Sequence, residues 1–203
     1  MFSIRTMARV TAAASVTLTM AAALGAAPPA SADPVVDMSW TVKTTTTLKK
    51  LGETVKLPNG TLDAQIDTAT GAMTGTLALP KATQKVSLPR LPLAEVTVAF
   101  DQAAPVKGKV DLTAGTARAK ASFVVRIVAI RPVHSPAINL VSGKCTTKKP
   151  VTASLNGPIN PGGTSTFEST YKMPGFKKCG KKSSGVINSL LAGGKNKMTI
   201  KLS

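Results

Sequence analysis

The stretch Leu62-Asp63-Ala64-Gln65-Ile66-Asp67-Thr68-Ala69-Thr70-Gly71-Ala72-Met73-Thr74-Gly75-Thr76-Leu77-Ala78-Leu79 decides the fold class. Leu62, Ala64 and Ile66 alternate with Asp63, Gln65 and Asp67, and Met73 to Leu79 repeats the period of two. Successive side chains of a strand point to opposite faces, so each run has one apolar and one wet face. Between the runs, Gly71 closes Thr68-Ala69-Thr70-Gly71. A tight turn needs a positive φ at such a position, and glycine takes it without steric cost. The pattern predicts a β-hairpin.

The same grammar extends outward. Pro80, Pro89 and Pro92 break up a segment that reads as a loop plus an edge strand. Glu95 to Phe100 alternates again, and Val106 to Leu112 forms a further run after Pro105. From Thr116 to Arg131 one face carries Ala117, Ala119, Ala121, Phe123, Val125, Ile127 and Ala129. Val124, Val128 and Ile130 make the second half apolar on both faces. This predicts a long central strand or one that crosses between sheets.

Beyond Pro132, Ile138–Val141, Val151–Leu155 and Thr164–Tyr171 read as strands, Asn160-Pro161-Gly162-Gly163 as a turn, and Met198–Leu202 as a terminal strand. One helix is expected, from Ser184 to Ala192, with Ser183 or Ser184 as its N-cap and Gly193-Gly194 as its stop. Val186, Ile187, Leu190 and Leu191 form its apolar stripe, which should pack on the sheet. Thr- and Val-rich runs separated by Gly or Pro every eight to twelve residues or so are the mark of a sandwich or barrel. The expected fold is therefore all-β: an antiparallel β-sandwich, or a barrel-like sheet, with one short C-terminal helix.

The start of the chain has a different composition. Arg5 and Arg9 precede Val10–Ala27, a run without charge, and Ala30-Ser31-Ala32 follows Pro28-Pro29 as an A-x-A cleavage site. Residues 1–32 read as a signal peptide and 33–203 as a single secreted β domain, with Asp33 to Asp37 expected to be loose. The leader implies a secreted, extracellular protein, with the cell wall as a candidate location. Two cysteines, Cys145 and Cys179, fit one structural disulfide in such a protein. Closing a loop of that length stabilises by roughly 3–4 kcal/mol in the chain-entropy model.

Lysine and arginine number 26 against 9 acids, a formal net charge of +17, and the leader accounts for only two of those cations. Such a surface serves solubility or attracts polyanions. Lys144, Lys148 and Lys149 flank Cys145, while Lys177, Lys178, Lys181 and Lys182 flank Cys179. A bond between the cysteines would gather both groups within a Debye length or two, each ~10 Å at ordinary ionic strength.

Four segments recur together in a group of secreted actinobacterial proteins that this chain resembles. They are Asp67-Thr68-Ala69-Thr70-Gly71-Ala72-Met73-Thr74-Gly75-Thr76-Leu77-Ala78-Leu79-Pro80, Cys145-Thr146-Thr147-Lys148-Lys149-Pro150-Val151, Tyr171-Lys172-Met173-Pro174-Gly175-Phe176-Lys177-Lys178-Cys179-Gly180 and Gly194-Lys195-Asn196. The resemblance spans most of Asp63 to Leu202. It implies export, a disulfide and a β fold, and it brings no activity with it. The lysines at 177, 178, 181 and 182 depart from its pattern, which is mostly neutral there.

Catalytic chemistry finds little material. The single His134 sits in Arg131-Pro132-Val133-His134-Ser135-Pro136, a stiff loop, and no G-x-S-x-G elbow exists. Paired carboxylates are scarce, and one Trp with one Tyr offers no aromatic platform for sugars. One His and two paired Cys cannot assemble a zinc site. No enzyme activity, metal or cofactor is expected. Nucleic acid is disfavoured as a partner by export and by the lack of stacking aromatics. The residues point first to a non-enzymatic secreted protein. It would associate with an anionic cell-wall polymer or an anionic membrane surface through its basic C-terminal half. The alternative is a small extracellular carrier holding an apolar lipid or isoprenoid inside the β domain. Alternation alone does not separate a filled interior from a hollow one.

Overall fold

The computed structural model describes residues 34–203 apart from 89, 90, 161 and 182, so residues 1–32, expected to be a signal peptide, and Lys182 lie outside the described residues. The strands are β1 (Val35–Leu48), β2 (Glu53–Lys56), β3 (Gly60–Asp67), β4 (Ala72–Ala78), β5 (Ala82–Leu88) and β6 (Leu91–Asp111). They continue with β7 (Thr116–Pro132), β8 (Cys145–Thr147), β9 (Val151–Pro158), β10 (Ser165–Lys172), β11 (Phe176–Lys177) and β12 (Lys195–Leu202); helix α1 spans Ser183–Leu191. The strands form one antiparallel sheet ordered β10-β12-β1-β3-β4-β6-β7-β8-β11, with β2 added to β1, β5 to β6 and β9 to β7. The all-β expectation holds in its barrel-like form: a single sheet curls on itself.

The hairpin that decides the class is in place. Leu62 pairs with Leu77 and Ile66 with Met73, and Gly71 turns with φ +71°. The Asp67 carboxylate accepts from the backbone N–H of Ala69 and Thr70 and from Thr70 Oγ1 at 2.6 Å. Those bonds, the Thr70 hydroxyl first, hold its pKa below the ordinary aspartate value. Of the segment expected to be loose, Asp33 lies outside the described residues and Val35–Asp37 is strand instead: Val35 pairs with Asp67, and Thr68 Oγ1 donates to Pro34 O.

Three long strands carry two sets of partners each, and this gives the sheet a narrow end and a flared end. In β1, Val35–Val42 pairs with β3 and Thr45–Leu48 with β2. In β6, Val106–Lys109 pairs with β4, whereas Ala94–Val98 pairs with β5. In β7, Thr116–Phe123 pairs with β9, whereas Arg126 and Ile127 pair with β8.

The narrow end is closed by small residues. A Cβ added at Gly108 would lie 2.5 Å from Arg118 O and 2.6 Å from the Ala119 methyl, so the strands approach as only glycine permits. Trp40, Leu62, Ile66, Met73 and Val110 fill what remains.

Two irregularities open the other end. The β4–β6 ladder stops at Gly75–Val106, and the Gln102 side chain takes over as a substitute strand. Its Oε1 accepts from Leu77 N at 3.0 Å, and its Nε2 donates to Gly75 O and Ala104 O. Pro105, lacking an N–H, sits in the register break between Ala104 and Lys107. The two runs read on either side of Pro105 are therefore one strand.

A second break in β7, where Ile127 and Ala129 pair with Val98 and Thr97, leaves backbone groups without ladder partners. The Asn139 amide satisfies them, accepting from Ile130 N and donating to Val128 O. That side-chain clamp explains why Ile138–Val141 is not a strand: the segment lies along β7 through Asn139 and through Leu140 N to Ile130 O.

Candidate functional site: an apolar cavity with a basic rim

The flared end encloses a cavity of about 430 Å³. Its walls come from four separate stretches of the chain, within residues 46–57, 82–100, 125–140 and 171–191. Leu48, Leu51, Val55 and Leu57 line one side from β1, β2 and their turns; Ala82 and Val86 of β5, with Val96, Val98 and Phe100 of β6, line the opposite one. Val125, Ile127 and Ile130 of β7 form the back, Met173 and Phe176 join near the helix, and Ile187, Leu190 and Leu191 cover it. Period-two alternation supplies the strand walls and helical spacing supplies the cover.

Among the described residues not one ionisable Asp, Glu, Lys, Arg or His side chain lines this space, and the polar members are few: Thr46, Gln84, Tyr171 and Ser183. Thr46 and Tyr171 bond to each other at 2.8 Å, and Ser183 Oγ donates to Leu140 O. Two of the polar side chains are thus spent on one another and a third on the backbone. Beneath the main space a void of about 30 Å³ shares Thr46, Leu57, Phe100 and Tyr171 with it and borders Thr44. Thr44 Oγ1 is buried with no protein hydrogen-bond partner there.

Helix α1 is held over the cavity by three devices. Ile187 is buried at 4 % exposure. The Asn188 amide accepts from Phe176 N at 2.6 Å and donates to Phe176 O at 3.1 Å, pairing with the backbone as a strand would. Gly193 stops the helix at φ +88° and donates its N–H to Met173 O. The expected N-cap role of the serines is replaced by another one. Ser183 Oγ goes to Leu140 O and Ser184 Oγ to Gly180 O, so both hydroxyls tie the helix start to loops instead of capping N–H groups. The stripe is also uneven: Ile187 packs inward, Leu190 and Leu191 are half-buried at the cavity, and Val186 is 58 % exposed.

Cys145 and Cys179 form a disulfide, both fully buried. Next to it β8 pairs with β11, Thr147 to Phe176 and Thr146 to Lys177. Lys144, Lys148, Lys149, Lys177, Lys178 and Lys181 are all exposed around this clip, and Lys182 lies outside the described residues. Ser142 Oγ donates to Lys178 O, and Lys148 N to Gly175 O at 2.6 Å, so the two lysine-bearing segments touch. Among the described residues the one ion pair is Arg126 with Asp101, whose side chain and charge hold the guanidinium pKa above its usual value; none of the six described lysines is in an ion pair. His134 is exposed in its loop.

No protein-family model, no curated protein and no solved structure matches this chain. Sequence reading named the helix stripe and the lysines but not the strand walls. Val96, Val98 and Phe100 do share one face in the alternation from Glu95 to Phe100. What the alternation lacks is the distance to the wall opposite.

Proposed function

We propose that this protein is a carrier that holds the apolar part of a lipid-like ligand inside its flared end. The observation that carries this is the cavity of about 430 Å³ lined almost wholly by aliphatic and aromatic side chains. Ligand sites typically measure ~300–1,000 Å³ and are mostly apolar. Left empty, such a space is costly. At ~24 cal/mol per Å³ it would forfeit on the order of 10 kcal/mol as an upper bound, since the mouth admits water. That is comparable with the whole stability of a domain, ~5–15 kcal/mol. An occupant recovers that contact.

The uncharged wall that the described residues build sets the chemistry of what enters. A carboxylate or ammonium buried there would meet no counter-charge, at a cost of several kcal/mol or more. The buried part of the ligand is therefore uncharged, an acyl or isoprenoid chain, and any charged head stays at the mouth. This reading ranks ahead of adhesion by the basic C-terminal half alone, because a filled core would serve adhesion equally well. A disulfide persists in oxidising compartments, which supports export, and the N-terminus of secreted protein should then be Asp33.

The test uses N-phenyl-1-naphthylamine, an uncharged fluorophore that brightens in apolar surroundings. Saturable brightening near one probe per chain, abolished by Leu190→Trp at the cavity edge, supports the proposal. No brightening, or brightening that Leu190→Trp leaves intact, overturns it.

A further inference from the structure

We infer that the mouth of the cavity seats on the headgroup surface of an anionic lipid bilayer. The inference concerns the outside of the flared end and rests on the carrier reading only for its purpose, not for its geometry.

Apolar side chains that a soluble protein leaves in water matter when they cluster beside a site. Ile138, Leu140 and Val186 are among the few large apolar side chains exposed to solvent, at 54 %, 37 % and 58 %. Leu140 and Val186 also line the cavity, so they stand on its rim. Ser183 Oγ bonds to Leu140 O, which fixes the helix start against the loop that carries Ile138 and Leu140. Leu140 and Val186 thus form an apolar lip at the entrance, and Ile138 is exposed two residues before Leu140 on the same loop.

Cations flank that lip on both sides. At the helix start, Lys181 lies two residues before Ser183, and Lys178 is held to Ser142, two residues after Leu140. Lys144 and Lys177 follow at the disulfide clip. Toward the other end of the helix, Lys50 Nζ donates to Ser189 O at 3.0 Å. Between Leu140 and Leu191 the only acid is Glu168. Among the described residues the remaining exposed large apolar side chains, Val35, Val36 and Leu112, lie at the narrow end, where Asp37, Asp67 and Asp111 accompany them together with Lys109 and Arg118.

A lip of aliphatic groups inside a ring of lysines is the arrangement that inserts side chains just below the headgroups while ammonium groups meet lipid phosphates. A wall polymer offers the same charge but no apolar layer, so it would use the lysines and ignore the lip. No helix among the described residues is long and apolar enough to cross a membrane.

Co-sedimentation with phosphatidylcholine vesicles, with and without about one third phosphatidylglycerol, tests this on the full secreted chain, with soluble poly-glutamate as the polymer control. Binding should require phosphatidylglycerol and weaken at least about tenfold from low to high salt, as screened attraction does. The pair Ile138→Ser with Val186→Ser should weaken vesicle binding about tenfold or more while leaving poly-glutamate binding unchanged. Lys178→Gln with Lys181→Gln should weaken both. Leu112→Ser at the narrow end should change neither. Vesicle binding that survives Ile138→Ser with Val186→Ser overturns the inference in favour of charge alone, and so does equal loss from Leu112→Ser. Naphthylamine uptake, measured on the same variants without vesicles, separates a failure of docking from a failure of the carrier reading.

Discussion

The Tyr171 hydroxyl meets Thr46 Oγ1 at 2.8 Å, and because Thr46 also donates to Lys197 O, the phenol is the donor. This bond joins β10 to β1 across β12, which pairs with both. Burial raises the pKa of Tyr171. A phenol that keeps its proton more tightly when folded adds stability below its unfolded pKa of about 10. That contribution is lost as pH climbs through the folded value.

Tyr171→Phe should cost about 0.5–1.5 kcal/mol at neutral pH, the net worth of one hydrogen bond. Urea unfolding at neutral and strongly alkaline pH should then show the wild type losing more stability than Tyr171→Phe. Equal losses would mean that the lysines, not this phenol, govern alkaline unfolding.

Ile187 and Leu190 belong to one apolar stripe by spacing but differ in burial. Ile187→Ala removes a side chain that is 4 % exposed and should cost ~2–5 kcal/mol. Leu190→Ala, at the half-buried cavity edge, should cost less than about 2 kcal/mol and should weaken naphthylamine uptake instead. Chemical denaturation of both variants decides between them. The reverse order would place the helix differently from the packing described above.

Glycine substitutions report on the narrow end. Gly108→Ala sets a methyl within 2.6 Å of the Ala119 methyl and 2.5 Å of Arg118 O, so strands must move apart, at a cost of ~1–3 kcal/mol or more. Gly185 in α1 has nothing within 4 Å of an added Cβ. Gly185→Ala should raise stability by roughly 0.5–1 kcal/mol through helix propensity. Melting temperatures of the two should move in opposite directions.

Replacing Cys145 and Cys179 by Ser together should lower stability by roughly 3–4 kcal/mol, the loop-closure value for a separation of 34 residues. The same change frees the β8–β11 clip, on which Asn188 and so α1 depend. Naphthylamine affinity should therefore fall even where the protein remains folded. Unchanged affinity in a folded double variant would show that α1 is positioned without the bond.

The β character, the Gly71 hairpin, the long strand from Thr116, the helix with its Gly193 stop and the cysteine pairing are all legible in the sequence. Each rests on side-chain period, on turn chemistry or on an even cysteine count, and these are set within a few residues or by elimination. The lysine groups follow from the same pairing. What tertiary structure alone decided is the shape of the interior. Alternation says which way a side chain faces, not how far away the opposite wall stands. That distance was set by Gln102 standing in for a strand, by Pro105 in a register break and by Asn139 mending another. Each acts on backbone partners that the sequence does not put beside it. The Thr46–Tyr171 bond spans 125 positions for the same reason. Strand pairing is non-local, so whether the apolar faces touch or part to leave a cavity depends on where each ladder stops.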